Sequence, residues 1–518
     1  MAARATKPTG SRHIARRALL RRGFWGMGIL SVGPTFYACG PGQLGAPGRS
    51  GTHGDAAGPY RGNSRLSAAG SGGQAVQEFR EDLETPPRTL QEIDAGTPAR
   101  EVRSVSARAD IDAGMADHDA NTPVPLEETD AGLDEGMQDA GRDAAIWMPQ
   151  EPVKRGLPAL GFGPLLPPDD NGLRLPAGCH SRIVARSGQR PTPRSDYKWH
   201  GAPDGGATFA TEDGGWIYVS NCELGKGNGG VGALRFAPDG TIEDAYSLLK
   251  GTARNCAGGL TPWGTWLTCE EVEHGKVVEC DPTGQTEPIP RPALGLFRHE
   301  AVAVDPKSMQ LYLTEDQPDG LLYRFTPDDV DKHGNPNLDS GLLEAAVVLG
   351  DDTEGYVEWV PVGDPRGDSS LARRSAPKAT GFRGGEGIWY DGGIVYFTTK
   401  GDNRVWALDP YEDSLVVIYD RATSPAPILS GVDNVTASPG GHILVAEDGG
   451  DMQIVALGRD KQVAPIVQVV GHKGSEVTGP AFDPSGTRLY FSSQRGPSGS
   501  SDDGVTFEVT GLLSDSEE

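Results

Sequence analysis

The sequence has few basic residues for its length. Its 518 residues include 47 Lys and Arg against 72 Asp and Glu, which gives a formal net charge of −25 at pH 7. A chain of this charge repels the phosphate backbone of DNA and RNA, because nucleic-acid binding depends on basic side chains that neutralise phosphates. We therefore expect no nucleic-acid partner and favour cations as small ligands.

Long apolar runs are also missing, apart from one near the N terminus. Residues 24–38 form an apolar stretch of 15 residues, shorter than the roughly 20 that a membrane-spanning helix needs. Residues 1–38 contain seven Lys or Arg and no acid, and Cys39 follows them. A basic segment, a short apolar core and a small residue before a processing point predict an export signal over residues 1–39.

Two features of this leader indicate a route of export. Arg-Arg-Gly-Phe at residues 21–24 resembles the core of a twin-arginine signal, which exports proteins already folded. Phe-Tyr-Ala-Cys at residues 36–39 resembles a lipoprotein processing site, so Cys39 is the predicted lipidation site, with simple signal cleavage as the alternative. We expect an exported bacterial protein, periplasmic or a cell-surface lipoprotein, that contacts the membrane only through this lipid.

Residues 40–165 lack the apolar content of a folded domain. They are rich in Gly, Pro, Ala, Ser, Asp and Glu, and Asp-Ala-Gly recurs at residues 94–96, 112–114, 130–132 and 139–141. Such a composition buries too little apolar surface to offset the entropy lost on ordering the chain. We predict a disordered tether that holds the following domain away from the membrane.

The remaining sequence, residues 175–512, contains a repeated pattern. An acidic or thiol residue opens a short apolar strand, a Pro, Asp or Gly turn follows, and a second strand ends in carboxylates. Successive openings lie about 43 to 48 residues apart, with one double-length gap between Glu300 and Glu386. This is the spacing of four-stranded propeller blades. We predict an all-β, six-bladed β-propeller.

One position of the repeat is predicted to line the central channel, because the innermost strand of every blade faces it. The residues at that position are Cys256, Glu300, Glu386, Asp433 or Asn434, and Glu476. Carboxylates that face one another away from solvent repel, and either raised pKa values or a bound cation must compensate. We predict a metal cluster in the channel. The alternative is that these acids lie at solvated strand ends.

The chain has six cysteines, and disulfides are permitted in an exported protein. Cys269 and Cys280 end two short strands, and a two-residue turn at residues 274–275 would place them directly opposite each other in a hairpin. Opposite residues of an antiparallel pair can be close enough for a disulfide. We predict a Cys269–Cys280 disulfide, with two buried free thiols as the alternative. A pairing of Cys179 with Cys222 stays open.

Residues 225–230, Gly-Lys-Gly-Asn-Gly-Gly, have the spacing of a dinucleotide-binding loop. That motif requires a helix directly after the loop. Residues 231–236 instead have the pattern of another strand, so we interpret the segment as a hairpin loop and expect no nucleotide cofactor.

Several longer motifs resemble those of a known family. They are Asn-Cys-Ala-Gly-Gly-Leu-Thr-Pro-Trp-Gly-Thr-Trp-Leu-Thr-Cys-Glu-Glu at 255–271, Phe-Arg-His-Glu-Ala at 297–301, Leu-Thr-Glu-Asp-Gln-Pro-Asp-Gly-Leu-Leu-Tyr-Arg-Phe at 313–325, and Gly-Val-Asp-Asn-Val-Thr at 431–436. Together they resemble the PhoX-type alkaline phosphatases, over roughly residues 175–510. The resemblance implies a six-bladed propeller with a mixed iron and calcium cluster in its channel, which acts on phosphate esters after twin-arginine export.

The resemblance also implies metal ligands. Cys256, Glu300 and Glu386 match the family's iron-ligating positions, and a thiolate among carboxylates suits iron beside calcium. The candidates for the remaining acidic ligands are Glu270, Glu271, Glu315, Asp316, Glu447 and Asp448.

Two further positions concern the substrate. Asn221 matches the Asn of an Asn-His-Glu motif that contacts substrate phosphate, although the middle residue here is Cys222. The family's phosphate-binding Arg lies two residues before the position of Glu386, where this chain has Gly384. Arg383 is one residue earlier, and it can replace the missing Arg only where the strand is irregular, because a shift of one residue reverses the side-chain face.

These observations predict a metal-dependent phosphoesterase that hydrolyses small phosphorylated substrates outside the cytoplasm, with Asn221 and Arg383 orienting the ester. We expect a monomer. One alternative is a propeller without catalysis that keeps its metals for rigidity and binds an envelope ligand or protein. Another is a lactonase-like hydrolase that uses calcium in the same channel.

Overall fold

The computed structural model describes residues 157–512. The predicted leader with Cys39 and residues 40–156 of the predicted tether lie outside these described residues. Between residues 157 and 512 the regular structure consists of strands and four short 3₁₀ turns, at Pro292–Leu294, Ala372–Ser375, Arg459–Lys461 and Ser501–Asp503. The described residues include no helix long and apolar enough to cross a membrane.

The first half of the described chain supplies strands β1 to β15. Their bounds are β1 (Leu173–Arg174), β2 (His180–Arg186), β3 (Pro203–Ala210), β4 (Trp216–Cys222), β5 (Gly229–Phe236), β6 (Ile242–Thr252), β7 (Asn255–Leu260), β8 (Trp266–Glu270), β9 (Val277–Cys280), β10 (Ile289–Pro290), β11 (His299–Val304), β12 (Leu311–Glu315), β13 (Leu322–Pro327), β14 (Gly341–Gly350) and β15 (Glu354–Pro361). The loop at residues 225–230 leads into strand β5 and not into a helix, as the sequence predicts.

The second half supplies strands β16 to β26. Their bounds are β16 (Gly385–Asp391), β17 (Ile394–Thr399), β18 (Arg404–Asp409), β19 (Ser414–Asp420), β20 (Val432–Ala437), β21 (Ile443–Glu447), β22 (Gln453–Leu457), β23 (Val463–Val469), β24 (Val477–Phe482), β25 (Arg488–Ser493) and β26 (Val505–Thr510). β-Branched and aromatic residues fill these strands, as in Ile-Val-Tyr-Phe-Thr-Thr of β17. Glycines at positive φ close many of the turns, such as Gly240 at φ 84° between β5 and β6.

Consecutive strands pair in antiparallel order within five sheets. Two sheets have the orders β3-β4-β5-β6 and β7-β8-β9-β10, and a third joins β20 to β23 with β1 at its outer edge. In a fourth sheet, β24, β25 and β26 are completed by β2, so the two ends of the described chain meet in one sheet. This closure ties the ring together without a covalent link.

The fifth sheet has nine strands in the order β11-β12-β13-β14-β15-β19-β18-β17-β16. It consists of two four-stranded meanders whose outer strands are joined through β15. β15 pairs fully with β14 but meets β19 only at residues 354–356. The double-length gap in the sequence repeat therefore contains β15 and the segment that leads to β16, not an additional meander.

The first strands of the meanders surround a common axis. β3 contacts β7, β7 contacts β11, β11 contacts β16, β16 contacts β20, β20 contacts β24, and β24 contacts β3. Four-stranded antiparallel sheets arranged around an axis in this way are propeller-like. The prediction of an all-β protein is confirmed, and we call the space that the first strands enclose the central channel.

Apolar side chains on both faces of the sheets hold the arrangement together. Between the β20–β23 and β24–β26 sheets, for example, Leu444 and Ile454 pack with Phe491 and Phe507 in one buried cluster. Each fully buried Leu or Phe side chain stabilises the fold by about 1.5–3 kcal/mol. Comparable clusters fill the spaces between the other neighbouring meanders.

The predicted Cys269–Cys280 disulfide is not formed, and both thiols are free and buried. The turn between β8 and β9 is longer than two residues, so Cys269 pairs with Val277 while Cys280 pairs with Trp266. The two cysteines are three positions apart along the ladder and lie on opposite faces, because side chains alternate along a strand. They belong to different apolar clusters. Cys179 and Cys222 are free as well.

The end of the predicted tether packs against the folded domain. Leu160 and Phe162 join the apolar cluster of β20–β26, and the Phe162 ring centroid lies 5.0 Å from that of His442. The backbone carbonyl of Pro158 accepts a 2.9 Å hydrogen bond from the amide of Arg459. Residues 157–165 of the predicted tether therefore include apolar side chains that the domain partly buries.

Candidate metal centre

A β-bulge shapes the channel side of the first strands. In β11, His299 pairs with Glu315 and Val302 with Leu313, so the two residues between them oppose Thr314 alone. A bulge of this kind re-aims the side chain of the extra residue. The same arrangement occurs in β3, β7, β16 and β20. The first bulged residues of the five strands are Asp204, Cys256, Glu300, Glu386 and Asp433.

Four of these residues are ring positions that the sequence repeat predicts, and Asp204 is an addition. Strand β24 differs, because its bulged residues are Gly479 and Pro480. Glu476, the remaining predicted ring residue, lies just before β24 and enters the channel from there. The ring is therefore regular in five strands and modified in the sixth.

A second circle of side chains follows the second strands. The last residue of β4, β8, β12, β17 and β21 pairs in each case with the residue just before the bulge. The residues that come next in the chain, all at the same position relative to the bulge, are Glu223, Glu271, Asp316, Lys400 and Asp448. Glu271, Asp316 and Asp448 are predicted candidates, whereas Glu223 and Lys400 are not.

The carboxylates of the two circles meet in the channel. Four sets of three side chains have ligand atoms that all lie within 4.8 Å of one another: Glu223, Cys256 and Glu271; Asp204, Glu223 and Glu476; Asp433, Asp448 and Glu476; Glu300, Glu386 and Asp433. Neighbouring sets share Glu223, Glu476 or Asp433. The sets therefore form one continuous group of eight carboxylates and one thiol, which we call the channel cluster.

Burial makes the charged forms of this cluster costly. It raises the pKa values of Asp204, Glu300, Glu386 and Glu476 well above the ordinary carboxyl range, and neighbouring carboxylates raise them further. Burial raises the pKa of Glu271 to about 8. The pKa of the Cys256 thiol is raised by burial and then by the nearby acids. Nearby cations are needed to keep so many buried acids ionised.

The residues of the channel cluster fit metal ions. Glu300 Oε1 is buried without a hydrogen-bond partner in the described structure. Glu386 Oε1 also lacks a hydrogen bond of suitable geometry, although Lys400 Nζ is 3.1 Å away. Buried oxygens without partners are costly unless a ligand satisfies them. The donor set combines many hard oxygens with one soft sulfur, which suits calcium beside a transition metal such as iron.

Four predicted ligands lie outside the cluster. Asp316 stands at the second-circle position but belongs to none of the four sets. The other three each end their strand one residue before that position. Glu270 accepts a hydrogen bond from the amide of Ala253, and Glu447 accepts from the amides of Ser430 and Gln453. Glu315 accepts from the hydroxyl of Tyr323 and forms an ion pair with Arg373. Adjacent residues face opposite ways, so these carboxylates bind their own loops instead of the channel.

Asn221, the predicted substrate contact, is fully buried and has no free polar group. Its amide nitrogen donates to the carbonyls of Cys256 at 3.0 Å and Ala257 at 2.8 Å. Its oxygen accepts from Trp266 Nε1 and Thr268 Oγ1, both at 2.9 Å. An amide with both donors and both lone pairs occupied cannot contact a phosphate. Asn221 is therefore a positioning residue for the bulged strand that carries Cys256.

Arg383, the other predicted catalytic residue, is exposed and forms no ion pair with the acids of residues 157–512. The backbone between it and β16 is irregular, as its proposed role requires, since Gly384 has a φ of 68°. A Cβ atom at Gly384 would lie 3.2 Å from Asp316 Oδ1. Position 384 therefore faces the second circle, whereas the side chain of Arg383 is exposed.

Basic side chains that the sequence analysis does not predict surround the channel cluster. Arg495 Nη2 lies 2.7 Å from Glu476 Oε1, and Arg298 Nε lies 3.3 Å from Glu271 Oε1. Arg254 is more loosely held, 3.9 Å from Glu271 and 3.8 Å from Glu223. Lys400 and Arg495 closely follow second strands, so their place in the repeat is the signal that could have identified them.

A cavity of about 350 Å³ opens beside the second circle. Its polar lining consists of three arginines, one acid, one histidine and one glutamine: Arg254, Arg298, Arg373, Glu273, His274 and Gln317. It lies one side chain away from the channel cluster, because Arg254 and Arg298 both contact Glu271. The cavity therefore brings anion-binding groups next to cation-binding groups.

The fold and this site define an all-β, propeller-like protein with a carboxylate and thiol cluster in its channel. The sequence matches the family model for alkaline phosphatase PhoX over residues 228–276 and 272–414. Among solved structures, the chain is similar to Pseudomonas fluorescens PhoX in complex with vanadate, a transition state analogue, with 17% identity and a TM-score of 0.54 over 68% of this chain and 98% of that one. These findings confirm the resemblance to the PhoX-type alkaline phosphatases.

A more distant similarity links the chain to the gluconolactonase XC5397 from Xanthomonas campestris. The identity is 14% and the TM-score 0.39, over 68% of this chain and 99% of that one. This similarity is too low to support an argument about function. No curated protein matches the sequence significantly.

Proposed function

We propose that this protein is a metal-dependent phosphoesterase that acts on phosphorylated small molecules. The observation that carries the proposal is that three arginines, Arg254, Arg298 and Arg495, contact acids of the channel cluster, and we call them the rim. Arg495, for example, forms a 2.7 Å ion pair with Glu476. Phosphoryl transfer needs both cations at the reacting oxygens and donors for the phosphate, because charge is spread over its oxygens in the transition state. The similarity to PhoX supports the same chemistry.

We further propose that the propeller has six blades. The nine-stranded sheet then counts as two blades joined through β15, and the other four sheets supply one blade each. The closed cycle of contacts among β3, β7, β11, β16, β20 and β24 supports this count. Six blades bring one bulge each to the channel, which explains why the acids of distant repeats meet.

Two parts of the channel cluster would hold different metals. Cys256 with Glu223 and Glu271 offers sulfur and oxygen, a set that suits iron, whereas Asp204, Glu223 and Glu476 offer oxygen alone and suit calcium. Bound metal ions would supply the positive charge that polarises a phosphate ester. Vanadate, which the Pseudomonas fluorescens relative binds, resembles phosphate and supports an anion site in the shared fold.

The rim arginines bind and orient the ester in this proposal. Arg254 and Arg298 each contact Glu271 through a single nitrogen, so their remaining N–H groups can bind a phosphate or another anionic part of the substrate. Arg495 is the equivalent donor on the Glu476 side. We assign this role to the rim because Asn221 is saturated and Arg383 faces solvent.

Export and anchoring remain part of the proposal. The twin-arginine-like leader favours an enzyme that folds and takes up metal before export, and Cys39 favours a lipid anchor on the outer face of a bacterial membrane. A lipid at Cys39 is the only membrane contact we propose, and the folded domain is proposed to act as a monomer.

The proposed function is tested on full-length protein matured in the periplasm. Total metal content is measured on the same sample that is assayed with a phosphomonoester, a phosphodiester and gluconolactone. We expect bound metal and hydrolysis of a phosphate ester. Bound metal without hydrolysis of any ester would favour the propeller without catalysis, and hydrolysis of the lactone alone would favour the lactonase alternative.

A further inference from the structure

Lys400 stands at a position that carries an acid after the second strand of four other meanders. It follows Thr399, the last residue of β17, which pairs with the residue just before the bulge in β16. The residues at this position after β4, β8, β12 and β21 are Glu223, Glu271, Asp316 and Asp448. The repeat therefore places one cationic side chain where the channel otherwise receives carboxylates.

The ammonium group of Lys400 lies among three of these carboxylates. Its Nζ is 3.1 Å from Glu386 Oε1, 3.0 Å from Asp433 Oδ2 and 3.1 Å from Asp448 Oδ2. The ammonium group therefore forms ion pairs with three carboxylates, and it donates a hydrogen bond to Asp448 Oδ2.

The contacts of Lys400 divide the channel cluster into two sides. The Glu300, Glu386 and Asp433 set and the Asp433, Asp448 and Glu476 set each contain two of the acids that Lys400 contacts. The sets that contain Glu223 have none. A divalent ion beside Lys400 would be repelled by the ammonium group and would compete for the same oxygens.

We propose that Lys400 takes the place of one metal ion in the channel, so that this chain binds its metals on the Cys256 side. The ligands of that side are Asp204, Glu223, Cys256, Glu271 and Glu476. The ammonium group also pairs with Glu386, Asp433 and Asp448 when metal is absent. The proposal rests on metal binding in the channel and not on phosphoester turnover.

The test compares Lys400→Met with Lys332→Met, a control at an exposed lysine between β13 and β14. Each full-length protein is stripped with a chelator and titrated with Ca²⁺ by calorimetry, and its melting temperature is measured with chelator and with Ca²⁺. We expect Lys400→Met to bind one more Ca²⁺ per chain than wild type. Its melting temperature in chelator should be lower than that of wild type, and added Ca²⁺ should raise its melting temperature by more. Lys332→Met should match wild type in every measurement.

Two further variants secure the result. Lys400→Arg keeps the charge and should keep the wild-type Ca²⁺ stoichiometry. Lys400→Gln is neutral but can still donate hydrogen bonds, so it should gain Ca²⁺ as Lys400→Met does even if the Met variant does not fold. The proposal is overturned if neither neutral variant binds additional Ca²⁺, or if Lys400→Arg gains as much as they do.

The outcome is separable from that of the proposed function. A wild-type protein that binds metal but hydrolyses no phosphate ester contradicts the phosphoesterase function. The number of Ca²⁺ ions bound by the Lys400 variants then still decides the Lys400 proposal. A wild-type protein that binds no metal contradicts metal binding on the Cys256 side and overturns the present proposal as well.

Discussion

The side chain of Asn221 supports the backbone of Cys256, whose carbonyl accepts a 3.0 Å hydrogen bond from the amide nitrogen. A bulge leaves backbone groups of the extra residues without ladder partners. In β7 the carbonyls of Cys256 and Ala257 both find their partner in Asn221. The buried amide of Asn221 thus fixes the backbone of Cys256, whose thiol is the only one in the channel cluster.

Asn221→Ala should destabilise the protein without removing a substrate contact. It leaves buried carbonyls unsatisfied, at a cost of about 1–3 kcal/mol for each such group. Urea denaturation with chelator present measures this loss directly. Asn228→Ala, in the exposed loop before β5, is the control and should change stability little. An Asn221→Ala protein of unchanged stability but weaker phosphate binding would restore the substrate role.

Glu271→Gln and Glu476→Gln should each reduce metal content, because both carboxylates belong to sets of potential ligands on the Cys256 side. A ligand at 100 times its Kd stabilises the native state by about 2.7 kcal/mol, so the gain in melting temperature on adding metal should shrink as well. Elemental analysis and thermal melts measure the two effects.

Glu447→Gln is the matched control for this experiment. Glu447 is also buried and ends a second strand, but it accepts hydrogen bonds from the amides of Ser430 and Gln453. A glutamine can accept one of these two bonds, and its NH2 group then faces the other amide, so Glu447→Gln should lose stability. Its metal content should stay at the wild-type value, because no ligand of the channel cluster is removed. Equal metal loss in all three variants would show that burial, not position in the channel, explains the effect.

The metal-free protein should lose stability as the pH rises. Burial raises the pKa of Glu271 from its ordinary value of 4.5 to about 8, and it also raises the pKa values of Glu300 and Glu476. A carboxyl whose folded pKa is above its unfolded pKa binds its proton more tightly in the native state. The stabilisation is complete below about pH 4.5 and disappears as the pH passes about 8.

Denaturant midpoints measured in chelator between pH 5 and pH 8 test this dependence. Each such group contributes a slope of about 1.4 kcal/mol per pH unit within its window. Added metal should remove most of the slope, because it replaces the protons as the compensating charge. Stability that rises with pH in chelator would contradict the raised pKa values.

Deleting residues 45–150 should leave the melting temperature unchanged, because the sequence of this segment predicts no packed core. Deleting residues 45–165 should lower it. That longer deletion removes Leu160 and Phe162, which are partly buried against the β20–β26 cluster, so each contributes less than the roughly 1.5–3 kcal/mol of a fully buried apolar side chain. Thermal melts of the two truncated proteins distinguish a tether that ends before residue 157 from one that reaches residue 165.

The repeat predicts much of the channel because the bulge recurs at a constant place in the pattern. Cys256, Glu300, Glu386 and Asp433 are recognisable for this reason. Asp204 was missed because the first unit of the repeat is less regular. An acid pair such as Glu315 and Asp316 shows that a strand ends near the channel, but only the register decides which of the two faces it.

Two kinds of feature are harder to predict from sequence: those that depend on the length of a turn, and basic residues at positions where other repeats have acids. The Cys269–Cys280 pairing assumed a two-residue turn, and a longer turn moved the cysteines to opposite faces. Lys400 and Arg495 are not predicted from the repeat, because the pattern that identifies metal ligands consists of acids and thiols. Their charges matter only once folding places them next to Asp433 and Glu476.

Arg495→Met and Arg254→Met should reduce phosphoester turnover if the rim binds the ester. Removing one donor that stabilises transition-state charge lowers kcat by about 10²- to 10³-fold. Metal content should stay normal in both, because neither side chain belongs to a set of potential ligands.

Arg383→Met is the control that distinguishes phosphate binding by the rim arginines from phosphate binding by Arg383. Arg383 is exposed, so its loss should leave kcat/KM unchanged. A reversed order, in which Arg383→Met loses about 10²-fold or more and the rim variants retain full turnover, would return the phosphate clamp to Arg383. Loss of turnover without loss of metal in the rim variants, with a normal Arg383→Met, would assign the clamp to Arg254 and Arg495.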